Sequence, residues 1–228
     1  MIPLILIRPE PGCAATLAAA RELGLEAHGF PLFEVHPTAW TLPDEPVDAL
    51  LVGSANAFRH GGSLLAGLRD KPAYVVGATT ATVAELAGFS VAAVGSGGLQ
   101  NVLDRIEPAN TTLLRLCGHD RIALEPRTGV TIIERVVYRS DPVPMPDALI
   151  RQLAGPAVVL LHSAEAARHF AVQCDVHSID RRHIVLAAIG PRVGDAAANG
   201  WALVAAAPRP DDAALLALAW NLCQTLGQ

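Results

Sequence analysis

Two seven-residue segments of the chain each carry a serine and a histidine at the same spacing. Residues 54–60 read SANAFRH, and residues 163–169 read SAEAARH. Serine and histidine together suggest a nucleophile and its general base. Six residues of a helix, however, turn the chain through about 600° and leave the two side chains roughly 120° apart, so they do not share a face. The pattern instead favours serine N-caps on two helices and the duplication of a whole structural unit.

The sequence also gives little support for a metal site or a reactive thiol. His177, Asp180 and His183 have ligand-type side chains, but their segment reads as a polar loop and its spacing fits no common zinc pattern. Cys117 precedes His119 by two residues, yet no third partner is visible, which favours a buried cysteine at a strand end. The sequence therefore predicts no metal. The four cysteines lack CxxC spacing and are expected to be reduced and packed: Cys13, Cys117, Cys174 and Cys223.

Composition argues against several classes of protein. The 228 residues carry a net charge of −5, with 4% aromatic residues and no basic run, which argues against a nucleic-acid partner. No apolar run approaches about eighteen residues and no basic segment precedes MIPLILI, so we expect no membrane span, no secretory signal and a cytoplasmic location. GSGG at 95–98 lacks the third glycine of the dinucleotide motif, and no phosphate-binding P-loop occurs. A small-molecule ligand is favoured.

Short aliphatic runs alternate with alanine- and leucine-rich stretches of helical spacing, a pattern typical of βαβ units in a parallel sheet. The predicted fold class is therefore α/β. Helices are predicted at 12–23, which opens after Pro11, and at 211–222, which opens at Asp211. Ten strands are predicted, at residues 2–7, 25–30, 47–52, 73–76, 90–94, 112–116, 130–134, 157–161, 184–189 and 202–206.

The repeated segment belongs to a longer internal echo. Gly77 and Gly190 each follow a predicted strand and precede a helix, and AGF at 87–89 corresponds to NGW at 199–201. The copies are separated by 113 and 112 residues, a nearly constant spacing. The echo therefore indicates two similar domains.

Counting strands gives the domain boundaries. Grouping the first two strands with the last three leaves five in the middle, so each domain is predicted to hold a five-stranded parallel sheet flanked by helices, of the flavodoxin-like type. One domain is discontinuous, 1–32 plus 145–228, and the inserted one covers 38–133. Segments 33–37 and 134–144 read as extended and are expected to pair as a two-stranded connector. A cleft with hinge motion is expected between the domains.

Ligands of open α/β sheets bind beyond the carboxyl ends of the strands, where loops lead into helices. Here these loops are small and polar. Their free helix-start amides attract anions, each helix end contributing roughly 0.3–1 kcal/mol. Several such ends could hold a multiply anionic ligand. The loops are residues 7–12, 53–56, 76–80, 95–101, 116–120, 162–165 and 189–192.

Several short motifs follow one another in a particular order. They are Arg8-Pro9 after the first strand, GSAN at 53–56, VGATTA at 76–81 followed by AGF, Val137-Tyr138 in the second connector, the Ser163 loop, and Ile189-Gly190-Pro191. Their order and spacing resemble the uroporphyrinogen-III synthase family over nearly the whole chain. The resemblance implies a cyclising lyase of tetrapyrrole biosynthesis that closes hydroxymethylbilane with loss of water and inversion of the last ring. It also implies no cofactor, no metal, and a monomer with at most transient contact to the preceding pathway enzyme.

The resemblance implies site residues as well. It places Tyr138 at the cleft, where a phenol could donate the proton that the departing hydroxyl needs. The rest of the task is orientation, because the substrate must be held with the wrong carbon out of reach. The expected substrate-binding residues are Arg8, Ser54, Ala55, Asn56, Gly77, Thr79, Thr80, Ser163, Ala164, Gly190, Pro191 and Arg192.

Three positions depart from the family pattern. Ile7 and Gly53 stand where threonine is usual, and Arg192 stands where a small hydroxyl residue is usual. Hydroxyl groups at these positions cannot be essential, which fits a site built from backbone amides. Arg192 is expected either to pair with a substrate carboxylate or to face solvent in a first helical turn. Likewise, Ser54 and Ser163 either bind ligand or only cap helices.

Two other functions stay open on the sequence. A two-domain hinge-type protein could bind or sense a small polyanionic ligand without catalysis, although neither a signal peptide nor a DNA-binding element is evident. A nucleotide-using α/β enzyme is weakened by the missing phosphate loops.

Overall fold

The computed structural model describes residues 2–106 and 111–226. The chain divides into two compact units. Unit 1 consists of the chain up to Glu34 together with the chain from Asp141 onward, and unit 2 is Val35–Ser140. The predicted discontinuous domain includes residues 1, 227 and 228, and the inserted one includes residues 107–110; these positions lie outside the described residues.

Strands and helices largely alternate, and the predicted α/β class is confirmed. The strands are β1 (Leu4–Leu6), β2 (Ala27–Gly29), β3 (Phe33–Pro37), β4 (Ala49–Val52), β5 (Ala73–Val76), β6 (Val91–Gly95), β7 (Thr111–Gly118), β8 (Val130–Pro142), β9 (Ala157–Leu161), β10 (Ile184–Ala188) and β11 (Leu203–Ala206). The helices are α1 (Gly12–Glu22), α2 (Ala55–His60), α3 (Ala78–Leu86), α4 (Leu99–Leu103), α5 (Asp147–Gln152), α6 (Ala164–Val176), α7 (Pro191–Asp195) and α8 (Asp212–Leu226). Short 3₁₀ helices occupy Ser63–Leu68 and Arg181–His183. Across the described ranges, no helix is both long enough and apolar enough to span a membrane.

The sheet of unit 1 has five parallel strands in the order β11-β10-β9-β1-β2. β1 lies between β2 and β9, with Leu4 opposite both Ala27 and Val158. Strands from both ends of the chain therefore form one sheet, as the five-and-five grouping predicts. All residues of β9 and β10 are buried, which explains why both strands read as unbroken apolar runs.

The sheet of unit 2 has six strands where five were predicted, in the order β3-β8-β7-β4-β5-β6. The strands from β8 to β6 are parallel. The additional strand, β3, runs antiparallel to β8. The Thr38 amide donates to the Val137 carbonyl at 3.0 Å, and the Val143 amide donates to the Leu32 carbonyl at 2.9 Å. The two connecting segments thus pair as predicted, and for this reason β8 continues to Pro142 instead of ending at residue 134.

Serine and aspartate side chains cap the helix starts. Ser54 Oγ accepts from the Asn56 amide at 3.3 Å, and Ser163 Oγ accepts from the Ala166 amide at 3.1 Å. Each serine satisfies an amide that has no partner within the first turn of its helix. Asp211 Oδ1 accepts a first-turn amide of α8 at 2.8 Å, so this residue caps the helix, which begins at Asp212, one position later than predicted.

Apolar side chains cover both faces of each sheet. In unit 1, α6 buries Phe170 completely, and its ring stacks on Trp201 with 5.5 Å between the ring centroids. The four cysteines are free and buried, as predicted.

Phe170→Ala should lower the free energy of unfolding by about 3–5 kcal/mol, because it removes a fully buried ring and leaves a cavity. Val172→Ala on the same helix is the control. Its side chain is 55% exposed, and the change should alter stability by no more than about 0.5 kcal/mol. Urea unfolding followed by circular dichroism measures both. Equal losses in the two variants would contradict the packing of α6 described above.

Candidate active site

A cavity of about 350 Å³ lies at the carboxyl ends of the parallel strands of unit 2. The loops that follow β4, β6 and β7 contribute to its lining. This is the edge at which open α/β sheets bind their ligands. The polar side chains of the lining belong to Ser54, Gln100, Arg115, Asp120, Arg121 and Tyr138.

Tyr138 lies against Gly118, the last residue of β7. β7 and β8 pair without interruption up to Cys117, which lies opposite Val136. A one-residue shift in β8 then brings Tyr138 opposite Gly118. A methyl group at Gly118 would lie 2.7 Å from Cε2 of Tyr138 and 3.0 Å from its hydroxyl oxygen. The glycine and the bulge together therefore determine where the phenol stands.

The phenol of Tyr138 is held protonated. Burial raises its pKa above the ordinary value, while a hydrogen bond with Ser54 and the charge of Arg115 act in the opposite direction. The ring of His60 lies 6.4 Å from that of Tyr138, measured between centroids. Burial and the charge of Arg59 lower the pKa of His60. At neutral pH, a phenol that can donate a proton thus stands near a neutral imidazole.

Arg115 and Glu134 face each other across β7 and β8. Arg115 is 4% exposed and donates from Nη1 to Glu134 Oε1 at 2.6 Å and from Nη2 to the Ile122 carbonyl at 2.8 Å. Arg121 donates from Nε to the other carboxylate oxygen at 2.8 Å and from Nη1 to the His119 carbonyl at 2.9 Å. Burial raises the pKa of Glu134, but the bonds and charges of both arginines outweigh it and lower the pKa overall. One carboxylate thus holds two guanidinium groups.

The other predicted residues of unit 2 stand at the starts of α2 and α3. Ala55 is buried and Asn56 is half-buried. Gly77 has a φ of 79° immediately before α3, a conformation that favours glycine. Thr79 is exposed, whereas Thr80 is buried and does not present its hydroxyl at the surface. These helix starts therefore offer a ligand backbone amides more than side chains.

In unit 1, Arg8 follows β1 and contacts the starts of two helices. Its Nη1 donates to Asp212 Oδ2 at 2.6 Å and to Thr16 Oγ1 at 3.0 Å. Its guanidinium also packs on Gly12, where a methyl group would lie 2.6 Å from Nε. Asp212 and Gly12 are the first residues of α8 and α1, so these two helices hold Arg8 at the carboxyl edge of the sheet.

His162 follows β9 and lies beside Asp212. Its Nε2 is 3.3 Å from Asp212 Oδ1, but the alignment is not that of a hydrogen bond, and neither ring nitrogen has such a partner in the part of the chain that the structure describes. Burial lowers the pKa of His162 against the opposing effect of Asp212. Contact with His162 and the charge of Arg8 lower the pKa of Asp212 despite its burial. An ionised aspartate thus stands between a paired arginine and a neutral imidazole.

The remaining predicted residues of unit 1 follow β9 and β10. Ser163 is exposed and caps α6, and Ala164 is half-buried. Gly190 is extended, and Pro191 and Arg192 are exposed in the first turn of α7. The side chain of Arg192 therefore faces solvent. The structure thus brings the predicted residues of each unit to the carboxyl edge of that unit's sheet.

Neither the metal hypothesis nor the thiol hypothesis gains support. Among residues 2–106 and 111–226, no three His, Cys, Asp or Glu side chains gather as metal ligands would. Asp180 pairs with Arg182 at 2.9 Å and lies 3.3 Å from His183. Burial raises the pKa of Cys117, whose thiol donates to the Arg135 carbonyl at 3.4 Å, so this cysteine is the buried strand-end residue that was predicted.

A protein-family model described as uroporphyrinogen-III synthase HemD matches residues 14–217, which include most of both units. The chain belongs to the uroporphyrinogen-III synthase family. The resemblance identified from the sequence motifs is thereby confirmed. Synthases of this family are cyclising lyases of tetrapyrrole biosynthesis, and they act on a small-molecule tetrapyrrole.

Two solved synthase structures share the fold. Uroporphyrinogen-III synthetase from Helicobacter pylori matches at 16% identity with a TM-score of 0.66, covering 97% of this chain and 100% of that one. A mutant uroporphyrinogen III synthase from the extremely thermophilic bacterium Thermus thermophilus matches at 17% identity with a TM-score of 0.54, covering 100% and 99%. A search of curated proteins gave no match.

Several residues that shape the candidate site were not predicted. Arg115 had a visible signal, since it interrupts the apolar strand TTLLRLCG and a buried charge needs a partner. The identity of that partner, Glu134, depends on strand register. The contact of Gly118 with Tyr138 depends on a bulge, and the approach of Asp212 to His162 depends on helix placement. These three contacts cannot be predicted from the spacing of residues along the chain.

Gly118→Ala should displace the Tyr138 ring, because a methyl group would lie 2.7 Å from Cε2. Tyr74 is the only other tyrosine. In protein with labelled tyrosine rings, we therefore expect the NMR signals of Tyr138 to shift and those of Tyr74 to stay. Gly67→Ala is the control, since the nearest atom to a methyl group there is 3.7 Å away. Unmoved Tyr138 signals in Gly118→Ala would refute the role given to Gly118.

His162→Gln should reduce the decrease in the free energy of unfolding that accompanies acidification. Folding holds the pKa of His162 below its ordinary value of about 6.5. Below about pH 6.5 the unfolded chain therefore binds more protons than the folded one, so the free energy of unfolding falls as the pH is lowered. Between about pH 7 and 5, the free energy of unfolding should fall more steeply in the wild type than in the variant. His177→Gln, which replaces an exposed histidine, should follow the wild type; identical slopes for all three proteins would contradict the assignment.

Proposed function

We propose that this chain is a uroporphyrinogen-III synthase that cyclises hydroxymethylbilane with Tyr138 as its proton donor. Family membership over residues 14–217 supports the reaction. The observation that carries the role of Tyr138 is its protonated phenol in the lining of the unit 2 cavity.

The proposed reaction begins with loss of the terminal hydroxymethyl oxygen as water. The azafulvene-like cation that remains is attacked at the substituted position of the last ring. The resulting spirocyclic intermediate fragments and recloses with that ring inverted, and a proton leaves at the final closure. The chain must therefore supply one proton to the hydroxyl and control the conformation of a flexible polyacid.

Tyr138 has the properties that the first step needs. Its raised pKa keeps the proton on the oxygen at neutral pH, and the Ser54 hydroxyl and the charge of Arg115 favour the phenolate once the proton has left. The ring packs on Gly118, so its position is set before substrate binds. Donation from a prepositioned phenol then requires little reordering.

We further propose that the carboxyl edges of both sheets bind the acetate and propionate groups. In unit 2, the amides that follow Ser54 and Gly77 would bind carboxylates; in unit 1, the guanidinium of Arg8 and the amides that follow Ser163 and Gly190 would do so. The remaining residues assigned to binding are Ala55, Asn56, Thr79, Thr80, Ala164, Pro191 and Arg192.

The proposal includes the organisation and setting of the enzyme. Its domains would be residues 1–32 plus 145–228 and residues 38–133, with residues 33–37 and 134–144 as connectors. It would act in the cytoplasm as a monomer, without a cofactor, since the reaction removes water and transfers no electrons. Because hydroxymethylbilane also closes without an enzyme, transient contact with the enzyme that supplies it would limit that loss.

The other function considered is a protein that binds or senses a polyanion without catalysis. Family membership does not support it. It also gives no reason for a tyrosine hydroxyl that a glycine and a strand bulge position in the cavity.

Tyr138→Phe should lower kcat at least about 100-fold, because it removes the proton donor and keeps the ring. Tyr74→Phe is the matched control and should keep the wild-type rate. Ser54→Ala and Ser163→Ala should each reduce turnover by less than about ten-fold, which corresponds to loss of a cap worth about 1 kcal/mol. The measurement is chromatographic separation of isomers I and III after incubation with fresh hydroxymethylbilane. Undiminished turnover in Tyr138→Phe removes the tyrosine from the mechanism, and absence of isomer III from the wild type refutes the function.

A further inference from the structure

Arg115, Arg121 and Glu134 form one charged group, here called the arginine cluster. Both arginines line the unit 2 cavity, and both pair with Glu134. Two guanidinium groups share a single carboxylate, so one positive charge is left in excess. An anion that enters the cavity would balance this charge by pairing with Arg121, the more accessible of the two arginines.

The arginine cluster keeps donors that its own contacts do not use. Nε of Arg115 is buried and has no hydrogen-bond partner within the residues that the structure describes. The bonds of Arg121 to Glu134 and to the His119 carbonyl use Nε and Nη1, not Nη2. The side chain of Arg121 is 32% exposed, so a ligand in the cavity can reach it. Because Glu134 already holds both arginines in place, an anion would bind without ordering them first.

Part of the remaining lining is apolar or lacks side chains. Leu99, Ile122 and Leu124 contribute apolar side chains, and Gly97 and Gly98 contribute bare backbone with positive φ. A ligand that matches these walls and the arginines has an apolar body with a negatively charged arm. A pyrrole ring that carries acetate and propionate groups has this chemistry.

We propose that the arginine cluster is a carboxylate-binding subsite, in which Arg121 contacts the ligand while Arg115 and Glu134 position Arg121. The subsite takes one acetate or propionate of the pyrrole ring whose hydroxymethyl group meets Tyr138, because Arg121 and Tyr138 line the same cavity. This inference rests on the proposed function and adds the substrate group that is recognised beside the proton donor.

Asp120 carries a negative charge that would disfavour an anion at the subsite. Its substitution should therefore change ligand affinity in the opposite direction to the substitution of Arg121. Its exposed carboxylate lines the cavity, and among the described residues it forms no ion pair with Arg115 or Arg121. A ligand carboxylate held by Arg121 would be repelled by this charge. Removing the charge of Asp120 should therefore tighten binding, while removing that of Arg121 should weaken it.

The experiment compares Arg121→Gln, Arg121→Lys and Asp120→Asn with the wild type. Arg121→Gln should raise KM for hydroxymethylbilane about ten-fold, as loss of a charged hydrogen bond does, with kcat within about two-fold. Arg121→Lys should recover part of the loss because it keeps the charge. Asp120→Asn should lower KM about two-fold. Added salt should raise KM of the wild type more than that of Arg121→Gln.

The control is Arg69→Gln, which removes an arginine that donates to the Ala87 carbonyl and does not line the cavity. It should keep the wild-type KM. A second measurement, quenching of protein fluorescence by the octacarboxylate uroporphyrin III, should give the same order of affinities without turnover.

An unchanged KM and unchanged porphyrin affinity in Arg121→Gln, or a raised KM in Asp120→Asn, would overturn the subsite and leave the proposed function standing. Equal losses in Arg69→Gln and Arg121→Gln would also overturn it, because net charge alone would then explain the effect. Absence of isomer III from the wild type would instead refute the proposed function. The affinities of the wild type and the variants for uroporphyrin III would then show whether the subsite binds a carboxylate. Should Arg121→Gln unfold, Asp120→Asn decides the question, since it leaves the arginine cluster intact.

Discussion

The parallel pairing of β7 with β8 is the interaction on which the site of unit 2 depends. Its register sets Arg115 opposite Glu134 and, after a one-residue shift, Gly118 opposite Tyr138. Backbone hydrogen bonds therefore place Arg115, its partner Glu134 and the phenol of Tyr138. Because side chains alternate between the two faces of a strand, a slip of one residue would separate both pairs at once. The same strand, β8, also forms the connector with β3, so the segment that joins the units carries the residue proposed as proton donor.

Burial acts differently on the ionisable groups of the two units. In unit 2, burial keeps the phenol of Tyr138 neutral, while Glu134 stays ionised because two arginines outweigh its desolvation. In unit 1, Asp212 stays ionised between Arg8 and His162, and the imidazole is the group that gives up its charge. Each cluster thus leaves one group neutral, a phenol that can donate a proton in unit 2 and an imidazole that can accept one in unit 1, and it fixes the neighbouring charges by pairing them.

More of the backbone fold than of the candidate site could be predicted from the sequence. Aliphatic runs and the internal echo indicated the strands of both sheets and their grouping, because burial on both faces imposes an apolar pattern that can be seen locally. The sixth strand of unit 2 was expected only as a connector, since pairing at a sheet edge adds little to that pattern. Contacts such as Arg115 with Glu134 and His162 with Asp212 join residues 19 and 50 positions apart. They follow from register and helix placement, which no single segment encodes.

The two copies of the repeat share their backbone roles and differ in their charges. Ser54 and Ser163 both cap a helix after a central strand, in nearly the same conformation. The residue before each serine differs: Gly53 carries no side chain, whereas His162 fills the corresponding position with a buried ring that reaches Asp212. Tyr138 and the arginine cluster belong to unit 2 alone, and Arg8 belongs to unit 1. A duplicated αβ framework explains the paired helix starts, because amides are offered wherever a helix follows a strand. Under the proposed function, both copies bind carboxylates at their helix starts, and the side chains without a counterpart in the other copy let unit 2 donate the proton as well, a division that two identical copies could not provide.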